Sequence, residues 1–429
     1  MNAFTCILGT GSSGQAAAKL LRAQGLGGGC VCAEKPPPPP LREAFEADGF
    51  PFQGTLPDAV PSRVIVSPGF SMDHPWLEAL RQREIAPTPE FALGASFLEG
   101  RVVAITGSLG KTTMAMLAAD LLRAAGKTVT LSGNIGLPVS EVARTRPRAD
   151  VHVIELSSFQ TETNRDFRPD IGILLNLFPN HLDRHHDMEA YAMAKARLFR
   201  AQSAGDLAVV PTSFPVPVPG AGRKLAPDEG CLPDLRGTAF DTPSLRANLS
   251  ALLTGLAEFH LSDALILQVL ERFQFPPHRM QEVGSPETGR IIDDSKSTCL
   301  SATVAALKAV PGPVHLIAGG VAKGESLAPL RPCLREKIVH LHLFGSAGPE
   351  MANEWGDFAA SCHLSLDLSA CMDEVFRKRS CTETLLFSPG CASFDQYSGY
   401  AERGNHFQSL IRQHTSNDHN ALKPEKEIV

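Results

Sequence analysis

One glycine-rich segment constrains the fold more than any other part of the sequence. It reads TGSLGKTT at residues 106–113, directly after the apolar run 102–105 and at the start of a helical pattern over 111–125. Glycines let backbone N–H groups turn toward phosphate oxygens, and the first turn of a helix adds a partial positive charge. This order of strand, glycine loop and helix predicts a phosphate-binding loop beside a parallel sheet.

Two side chains of this loop carry its predicted chemistry. The Lys111 ammonium can reach the β- and γ-phosphates of a nucleotide, and the Thr112 hydroxyl can ligate Mg²⁺. The other predicted ATP-binding positions of the loop are Gly107, Ser108, Gly110 and Thr113. The general pattern begins with a glycine where this chain has Ile105, which separates it from common GTPases and transport ATPases. A glycine turn with a chance lysine and threonine is the alternative interpretation.

The length and rhythm of the sequence predict several α/β domains. A chain of 429 residues is too long for a single hydrophobic core, so we expect about three domains. Apolar runs alternate with helical patterns, which is typical of an α/β fold with parallel sheets. The predicted strands lie at 4–8, 31–33, 63–66, 102–105, 129–131, 151–156, 171–175, 290–292, 314–317, 341–344 and 385–387. The predicted domains are 1–97, 98–275 and 276–413, followed by a disordered tail at 414–429.

Two proline-rich segments are predicted to lie outside the sheets. Residues 36–40 are five consecutive prolines, which predicts a stiff polyproline loop, and a ligand for a protein partner is the alternative. Residues 211–233 are rich in proline, glycine and charge, which predicts a surface loop.

Composition and charge exclude several classes of protein. The formal net charge is −6 without a basic block, so nucleic-acid binding has no support. No run approaches the about 18 apolar residues of a membrane span, and the start lacks the pattern of a signal peptide. We therefore expect a cytoplasmic protein with reduced cysteines. Cys30 and Cys32 alternate through a predicted strand, which favours buried thiols over a metal site.

A second glycine cluster lies at residues 9–14 and fits the pattern G-x-G-x-x-G after a strand. Glu34 follows near the end of the next predicted strand. Taken alone, this arrangement indicates an NAD-binding unit, but any nucleotide-like diphosphate could occupy the same turn. We interpret the cluster as an anchor for a diphosphate.

Carboxylates and histidines follow two further strands of the central part. Glu155 ends a predicted buried strand, where parallel sheets bind ligands, and an unpaired carboxylate there would be unfavourable. This position favours a role at a metal or phosphate. The segment 180–187, NHLDRHHD, could bind zinc through His181 and His185, but it lacks a defined third ligand. We therefore favour Mg²⁺ near a nucleotide over zinc.

Two polar loops follow strands of the last part. They read DDSKST at 293–298 and SPGCASFDQY at 388–397. Strand-end loops of doubly wound domains bind ligands, although composition alone favours ordinary polar turns. Cys391 could act as a nucleophile, but no histidine–acid pair accompanies it in the sequence.

Together these motifs resemble the Mur ligase family over almost the whole chain. The matching segments are the turn at 9–14, TGSLGKTT at 106–113, GNIGLP at 133–138, ELSSFQ at 155–160, NHLDRH at 180–185, DDSKST at 293–298 and SPGCASFDQY at 388–397. ELSSFQ, NIGLP and SPGCASFDQY are similar to the family member that adds D-glutamate. The resemblance implies a Rossmann-like UDP-binding domain, a central P-loop ATPase domain and a C-terminal Rossmann-like domain. It also implies ATP-dependent coupling of D-glutamate to UDP-N-acetylmuramoyl-L-alanine through an acyl phosphate, in bacterial peptidoglycan precursor synthesis.

The resemblance further implies four groups of site residues. The UDP-linked substrate would be held by Gly11, Ser12, Ser13, Glu34, Lys35, Ser67 and Asn134. One or two Mg²⁺ ions would be held by Thr112, Glu155, His181 and Lys195, the last as a carbamate, and catalysis would rest on Lys111, Lys195 and His181. The nucleotide would also be contacted by Asn248, Arg279 and Asp294. D-glutamate would be held by Lys296, Thr298, Ser393 and Tyr397.

The chain departs from the family pattern at a few positions. Ala247 and Ala251 stand where histidine and asparagine are usual, which puts one adenine contact in question, while Leu109 replaces asparagine and Tyr397 phenylalanine. Two alternative functions remain: a sibling ligase such as a folylpolyglutamate synthase, and a nucleotide-binding regulator without ligase activity. We expect a monomer whose partners are small-molecule substrates, with no nucleic acid and no membrane insertion.

Overall fold

The computed structural model describes residues 4–284 and 289–421, which form two compact units. The first unit holds the chain up to Leu177 together with Asp187–Phe273, and the second holds Phe178–His186 together with the chain from Gln274 onward. The sheets are predominantly parallel, so the predicted α/β class is confirmed. No helix within these residues has the length and apolar character needed to cross a membrane. The limits predicted at 97/98 and 275/276 stay predictions.

A five-stranded parallel sheet forms the N-terminal part of the first unit, in the order β3-β2-β1-β4-β5. Its strands are β1 Thr5–Leu8, β2 Gly29–Cys32, β3 Phe52–Gln53, β4 Arg63–Val66 and β5 Thr88–Pro89. Its helices are α1 Ser12–Ala23, α2 Pro39–Ala47, α3 Pro75–Gln82 and α4 Glu90–Ala95. The four-residue strands β1, β2 and β4 are largely apolar, as expected for strands buried on both faces. The glycine turn at 9–14 therefore lies at the carboxyl end of β1.

The prediction for the five prolines is wrong at its end, because α2 begins at Pro39. Proline has no backbone N–H to donate and a fixed φ close to the helical value, so it is well tolerated in a first helical turn. The consecutive prolines thus lead into a helix.

A six-stranded parallel sheet forms the rest of the first unit, in the order β11-β10-β9-β6-β8-β7. Its strands are β6 Glu99–Thr106, β7 Val129–Gly133, β8 Arg148–Glu155, β9 Ile171–Leu174, β10 Leu207–Val209 and β11 Arg223–Leu225. The helices are α5 Lys111–Ala124, α6 Val139–Thr145, α7 Ser158–Thr161, α9 Met188–Ala196, α10 Pro243–Leu256 and α11 Asp263–Arg272, while α8, Leu182–His185, belongs to the second unit. Edge strand β11 lies inside the segment predicted as a loop at 211–233. The register pairs Ile105 with Glu155, so the phosphate-binding loop and Glu155 share one edge of the sheet.

The second unit is built on a six-stranded sheet in the order β12-β13-β17-β14-β15-β16, with only the β12–β13 pair antiparallel. Its strands are β12 Gln281–Glu282, β13 Ile291–Asp293, β14 Val314–Gly319, β15 Ile338–Phe344, β16 Ser361–Leu364 and β17 Thr384–Gly390. Its helices are α12 Leu300–Ala309, α13 Arg331–Lys337, α14 Gly348–Trp355, α15 Leu368–Lys378 and α16 Tyr400–Ala421. Because α16 reaches Ala421, the predicted disorder is wrong for 414–421, and 422–429 lie outside the described residues.

Four histidines form a row across β14, β15 and β16. Ring centroids are 4.4 Å apart for His315 and His340, 5.5 Å for His315 and His342, and 5.5 Å for His342 and His363. His315 and His342 are fully buried. Burial lowers the pKa of His315 to about 4 and that of His342 to about 3, because it disfavours the charged imidazolium. Both rings are therefore neutral in the folded protein near pH 7.

The histidine row predicts loss of stability in mild acid. An unfolded histidine has a pKa of about 6.5, so between about pH 6.5 and 4 the unfolded chain binds more protons than the folded one. The stability that the two buried neutral histidines contribute is fully present above about pH 6.5 and is lost as the pH falls toward 4. We expect the free energy of unfolding to drop by roughly 2 to 4 kcal/mol between pH 7.5 and 5.0, measured in urea. His342→Gln should reduce the dependence of the free energy of unfolding on pH. His260→Gln, which changes an exposed histidine, is the control and should leave that dependence unchanged. Equal pH dependence in the two variants would contradict the assignment.

Candidate active site

The phosphate-binding loop joins β6 to α5 as predicted. Gly110 precedes the helix with φ +82°, and a Cβ atom there would lie 2.4 Å from Nδ2 of Asn248, so only glycine fits. The Lys111 ammonium donates to the carbonyl oxygens of Gly107 at 2.9 Å and Ser108 at 3.0 Å. The lysine thus folds back over its own loop, which holds its charge close to the backbone that would surround a phosphate.

Asn176 holds this loop in place and was missed by the sequence analysis. Its Oδ1 accepts from the backbone N–H groups of Ser108 at 3.1 Å and Leu109 at 2.9 Å, and its Nδ2 donates to the Leu109 carbonyl at 2.9 Å. Nδ2 also donates to Oδ1 of Asn248 at 2.7 Å. The two asparagines form a brace behind the loop. The position of Asn176 just beyond the carboxyl end of β9 was the available signal.

Glu155 is the buried carboxylate at the end of β8, and only 1% of the residue's surface is exposed. Its Oε1 accepts from Nδ2 of Asn134 at 2.9 Å. In the described part of the chain no group hydrogen-bonds Oε2, although this atom is buried. A buried carboxylate oxygen without a donor is unfavourable unless a cation or ligand approaches it. The oxygen therefore fits a metal ligand, as the sequence predicts.

Lys195 lies on α9 with 1% of its surface exposed, so it is not a lysine directed toward solvent. Its Nζ donates to the Gly107 carbonyl at 2.9 Å and lies 4.6 Å from the centroid of the Tyr191 ring. Burial lowers its pKa well below the usual value, the charge of Lys111 lowers it further, and the charge of Glu155 opposes both. The structure thus joins Lys195 to the phosphate-binding loop and favours its neutral amine.

A cavity of about 480 Å³ lies between the glycine turn after β1 and the residues after β7. It is lined by Gly9, Gly11, Ser12, Ser13, Ser67, Pro68, Gly69, Phe70, Gly133, Asn134, Gly136, Pro138 and Gln160. A Cβ atom on Gly14 would lie 1.9 Å from the Gly9 carbonyl oxygen, which explains this glycine of the turn. The Ser67 hydroxyl is buried without a hydrogen-bond partner among the described residues, so it can serve a ligand.

Five of the seven residues predicted for the UDP-linked substrate line this cavity. The other two, Glu34 and Lys35, are exposed just after β2. The Glu34 carboxylate lies 3.1 Å from Nε2 of His74, whose Nδ1 accepts from the Trp76 backbone at 3.1 Å. Their role in binding stays a prediction. Asn134 borders the cavity and contacts Glu155, so it connects the cavity wall to the predicted metal ligand.

In the second unit, Asp294 is buried after β13 and accepts hydrogen bonds from the hydroxyls of Ser297 and Ser388 and from the Met280 backbone. Burial raises its pKa to about 6, and the nearby Arg279 guanidinium opposes that rise. Within the residues that the structure describes, Nε of Arg279 is buried without an acceptor. Arg279 and Asp294, the two residues of this unit that are predicted to contact the nucleotide, therefore lie close together. The Nε–H of Arg279 is available to donate to a ligand.

The four residues predicted to bind D-glutamate lie in the loops after β13 and β17. The Lys296 ammonium lies 5.3 Å from the centroid of the Tyr400 ring. Thr298 Oγ1 accepts from Lys323 Nζ at 3.2 Å, and Lys323, which the sequence analysis missed, is a second cation there. Burial lowers the pKa of Lys323. Tyr397 stands where the family pattern usually has phenylalanine, which lacks a hydroxyl. The Tyr397 hydroxyl lies 2.8 Å from Nδ1 of His406.

Arg403, fully buried on α16, anchors these loops to each other. Its guanidinium donates to the carbonyl oxygens of Ser295 at 2.8 Å, Cys391 at 3.0 Å and Ala392 at 3.3 Å. Ser393 is buried next to this anchor. Burial raises the pKa of Cys391 to about 12, which suppresses its thiolate and argues against a catalytic nucleophile.

His181 precedes α8 in the second unit with φ +58°. Across residues 4–284 and 289–421, the histidine-rich segment 180–187 does not gather three histidine, cysteine or carboxylate ligand atoms. This gives no support to the zinc alternative. The role of His181 at magnesium stays a prediction.

Known proteins share both sequence and fold with this chain. Residues 105–216 match the family model of the Mur ligase middle domain. The UDP-N-acetylmuramoylalanine–D-glutamate ligase of Nitratidesulfovibrio vulgaris is 35% identical over 423 residues, which cover 94% of this chain and 95% of that protein. The ligase of the same name from Solibacter usitatus is 35% identical over 379 residues, covering 81% and 84%. The MurF ligase of Thermotoga maritima, solved with ADP, shares the fold with a TM-score of 0.61 at 16% identity, covering 91% of this chain and 96% of that one.

Proposed function

Because this chain belongs to the Mur ligase family, we propose that it uses ATP to join D-glutamate to UDP-N-acetylmuramoyl-L-alanine. The relatives that match it over most of their own length carry the name of that activity. The observation that carries the proposal is the cluster of the phosphate-binding loop, Glu155 and Lys195 at one edge of the central sheet. This cluster suits phosphoryl transfer, and the cavity beside it suits a large nucleotide-linked substrate.

The chemistry begins with a carboxylate, which is a poor electrophile. The substrate carboxylate attacks the γ-phosphorus of ATP, the bond to the bridging oxygen of ADP breaks, and an acyl phosphate forms. Lys111 offsets negative charge on the transferred phosphoryl oxygens, and the backbone of the loop positions them. The neutral amine of D-glutamate then attacks the acyl carbon, loses a proton, and expels inorganic phosphate to leave the amide.

The residues fit Mg²⁺. Thr112, Glu155 and a carbamylated Lys195, all in the first unit, would hold one or two ions, and the unpartnered buried Oε2 of Glu155 is the observation that supports this. Hard oxygen ligands of this kind are those that Mg²⁺ prefers. When bound, the ion neutralises phosphate charge.

A carbamate on Lys195 requires a neutral amine. Burial and the charge of Lys111 lower the pKa of Lys195, which favours the neutral amine and its lone pair. That nitrogen forms a bond to the carbon of CO₂ and releases one proton, which changes a buried neutral amine into an anion with two oxygen ligands. The negative charge of the carbamate would attract the Lys111 ammonium.

Product formation with different amino acids tests the proposed activity. Purified protein should release phosphate from ATP only when UDP-N-acetylmuramoyl-L-alanine and D-glutamate are both present, and mass spectrometry should find the joined product. Phosphate release without an amino acid would favour the nucleotide-binding regulator. Ligation of L-glutamate to a folate would favour the folylpolyglutamate synthase. Monomeric state and cytoplasmic location stay predictions.

The amino-acid site gives a further prediction. Lys323 contacts Thr298, and Lys296 lies two positions before Thr298 in the same loop of the second unit, so both cations suit an acidic substrate. Loss of a charged hydrogen bond to substrate weakens binding by about 1.5 to 3 kcal/mol, so Lys296→Ala should raise the KM for D-glutamate roughly 10- to 100-fold. The KM for ATP should change far less.

Lys308→Ala is the matched control, because Lys308 is exposed on α12 of the same unit. Its KM for D-glutamate should equal that of the parent. An unchanged KM in Lys296→Ala, or equal use of uncharged D-amino acids by the parent, would contradict the site.

A further inference from the structure

Three cysteines of the N-terminal sheet meet on one face. The parallel register pairs Cys6 of β1 with Cys30 of β2, and Cys32 follows two positions along β2 on the same face. The Sγ atoms of Cys6 and Cys32 are 3.6 Å apart, and those of Cys30 and Cys32 are 3.7 Å apart. All three sulfurs lie within 4.8 Å of one another, and all three residues are fully buried.

The spacing of the sulfurs matches that of ligands on one central atom. Sulfurs bound to zinc at about 2.3 Å in a tetrahedral arrangement lie about 3.8 Å apart, close to the two measured separations. A disulfide would instead require a sulfur–sulfur distance of about 2.05 Å. The strands therefore already hold the three thiols at a distance that a shared central atom needs.

The surroundings decide the charge that such a complex can carry. The cysteines pack against Leu8, Val64, Val66, Leu77 and Leu80, with partly buried Phe4, Leu56, Phe70, Trp76 and Ile85 around them. Among the described residues, no lysine or arginine shifts the pKa of these thiols, which changes only through burial and through the three thiols themselves. Three thiolates around Cu⁺ would leave two negative charges and around Zn²⁺ one, whereas a trivalent centre leaves none. An uncompensated charge in an apolar site is strongly unfavourable, so the neutral complex is preferred.

We propose that Cys6, Cys30 and Cys32 form a binding site for a trivalent, thiophilic metalloid, of which arsenic(III) is the representative. Arsenic(III) takes three sulfur ligands in a pyramid, so three thiols suffice and no fourth ligand is needed. Arsenous acid reacts with the three thiols to form three As–S bonds and release three water molecules. Each thiol proton leaves in one of those waters, and no oxidant or reductant takes part.

The sulfurs are also placed for this reaction. Once one sulfur has bound the metalloid, the other two lie within 4.8 Å of it and complete the complex in place.

Sodium arsenite and the full-length reduced protein test the site. After incubation and removal of unbound arsenite, native mass spectrometry should show one arsenic per chain, with a mass gain of one arsenic minus three hydrogens. X-ray absorption at the arsenic edge should show three sulfur neighbours and no oxygen. Cys32→Ala should lose the adduct, because Cys32 is in contact with both other sulfurs.

Cys371→Ala is the matched control, because Cys371 is a fully buried cysteine of the second unit. It should retain the adduct. Cys30→Ala is a second test variant in case Cys32→Ala fails to fold, as judged by circular dichroism. The proposal is overturned if the parent retains no arsenic, if a folded test variant retains it like the parent, if oxygen ligates the arsenic, or if equimolar Zn²⁺ displaces it.

Discussion

Replacing Lys111 with alanine should lower kcat by at least roughly 100- to 1,000-fold, corresponding to about 3 to 4 kcal/mol of lost transition-state stabilisation. The ammonium is held at the mouth of the phosphate-binding loop by the carbonyls of Gly107 and Ser108, so its position is set before ATP binds. A preorganised charge next to the transferred phosphoryl group acts most strongly in the transition state. The measurement is steady-state release of phosphate with all three substrates.

The control for this prediction is Lys127→Ala, because Lys127 is exposed just beyond the end of α5. Its turnover should equal that of the parent. The Lys111 variant should keep its fold, because the asparagine brace of Asn176 and Asn248 supports the loop without the lysine side chain. A folded Lys111→Ala protein with near-parental turnover would contradict the assignment.

The sequence was sufficient to predict the groups that follow strands. Thr106 and Glu155 end β6 and β8, and the parallel register brings the carboxyl ends of those strands to one edge, so their local patterns revealed the site. Local pattern alone could not predict the burial of Lys195, because an isolated lysine on a helix is usually exposed. Only the family resemblance distinguished it before the structure showed its contact with Gly107.

The residues that were missed depend on contacts between distant parts of the chain. Asn176 contacts a loop about seventy positions earlier, and its partner Asn248 lies about seventy positions later, so no local pattern joins the three. Cys6 meets Cys30 only because β1 and β2 pair in parallel with that register. A one-residue shift would direct Cys6 to the opposite face of the sheet. Such contacts follow from tertiary packing.

Local errors in the prediction have local causes. Proline runs favour the polyproline conformation, yet Pro39 and Pro40 occupy the first turn of α2, where a missing backbone N–H is harmless. The polar composition of the C-terminal segment predicted disorder, although α16 continues through it to Ala421.

Replacing Lys195 with alanine is expected to abolish nearly all turnover, and short carboxylates are expected to restore part of it. An unmodified Lys195 offers a neutral amine at best, whereas a carbamate supplies the negative charge and the oxygen ligands that Mg²⁺ prefers. Formate or acetate can place a carboxylate in the space that the Lys195→Ala side chain leaves. The measurement is kcat as a function of carboxylate concentration at constant ionic strength.

Lys111→Ala is the matched control for this rescue, because it removes the neighbouring lysine without removing the proposed carbamate. Carboxylates should restore Lys195→Ala and leave Lys111→Ala inactive, since an anion cannot replace a cation at the phosphate. Parent protein supplied with ¹³C-bicarbonate should show a carbamate carbon signal that is absent from Lys195→Ala. If Lys195→Ala is fully active without an additive, or if both variants respond alike to acetate, the residue does not work as a carbamate. A rescue confined to Lys195→Ala, together with the lost carbon signal, would assign the negative charge to that nitrogen and separate its role from that of the phosphate-binding lysine.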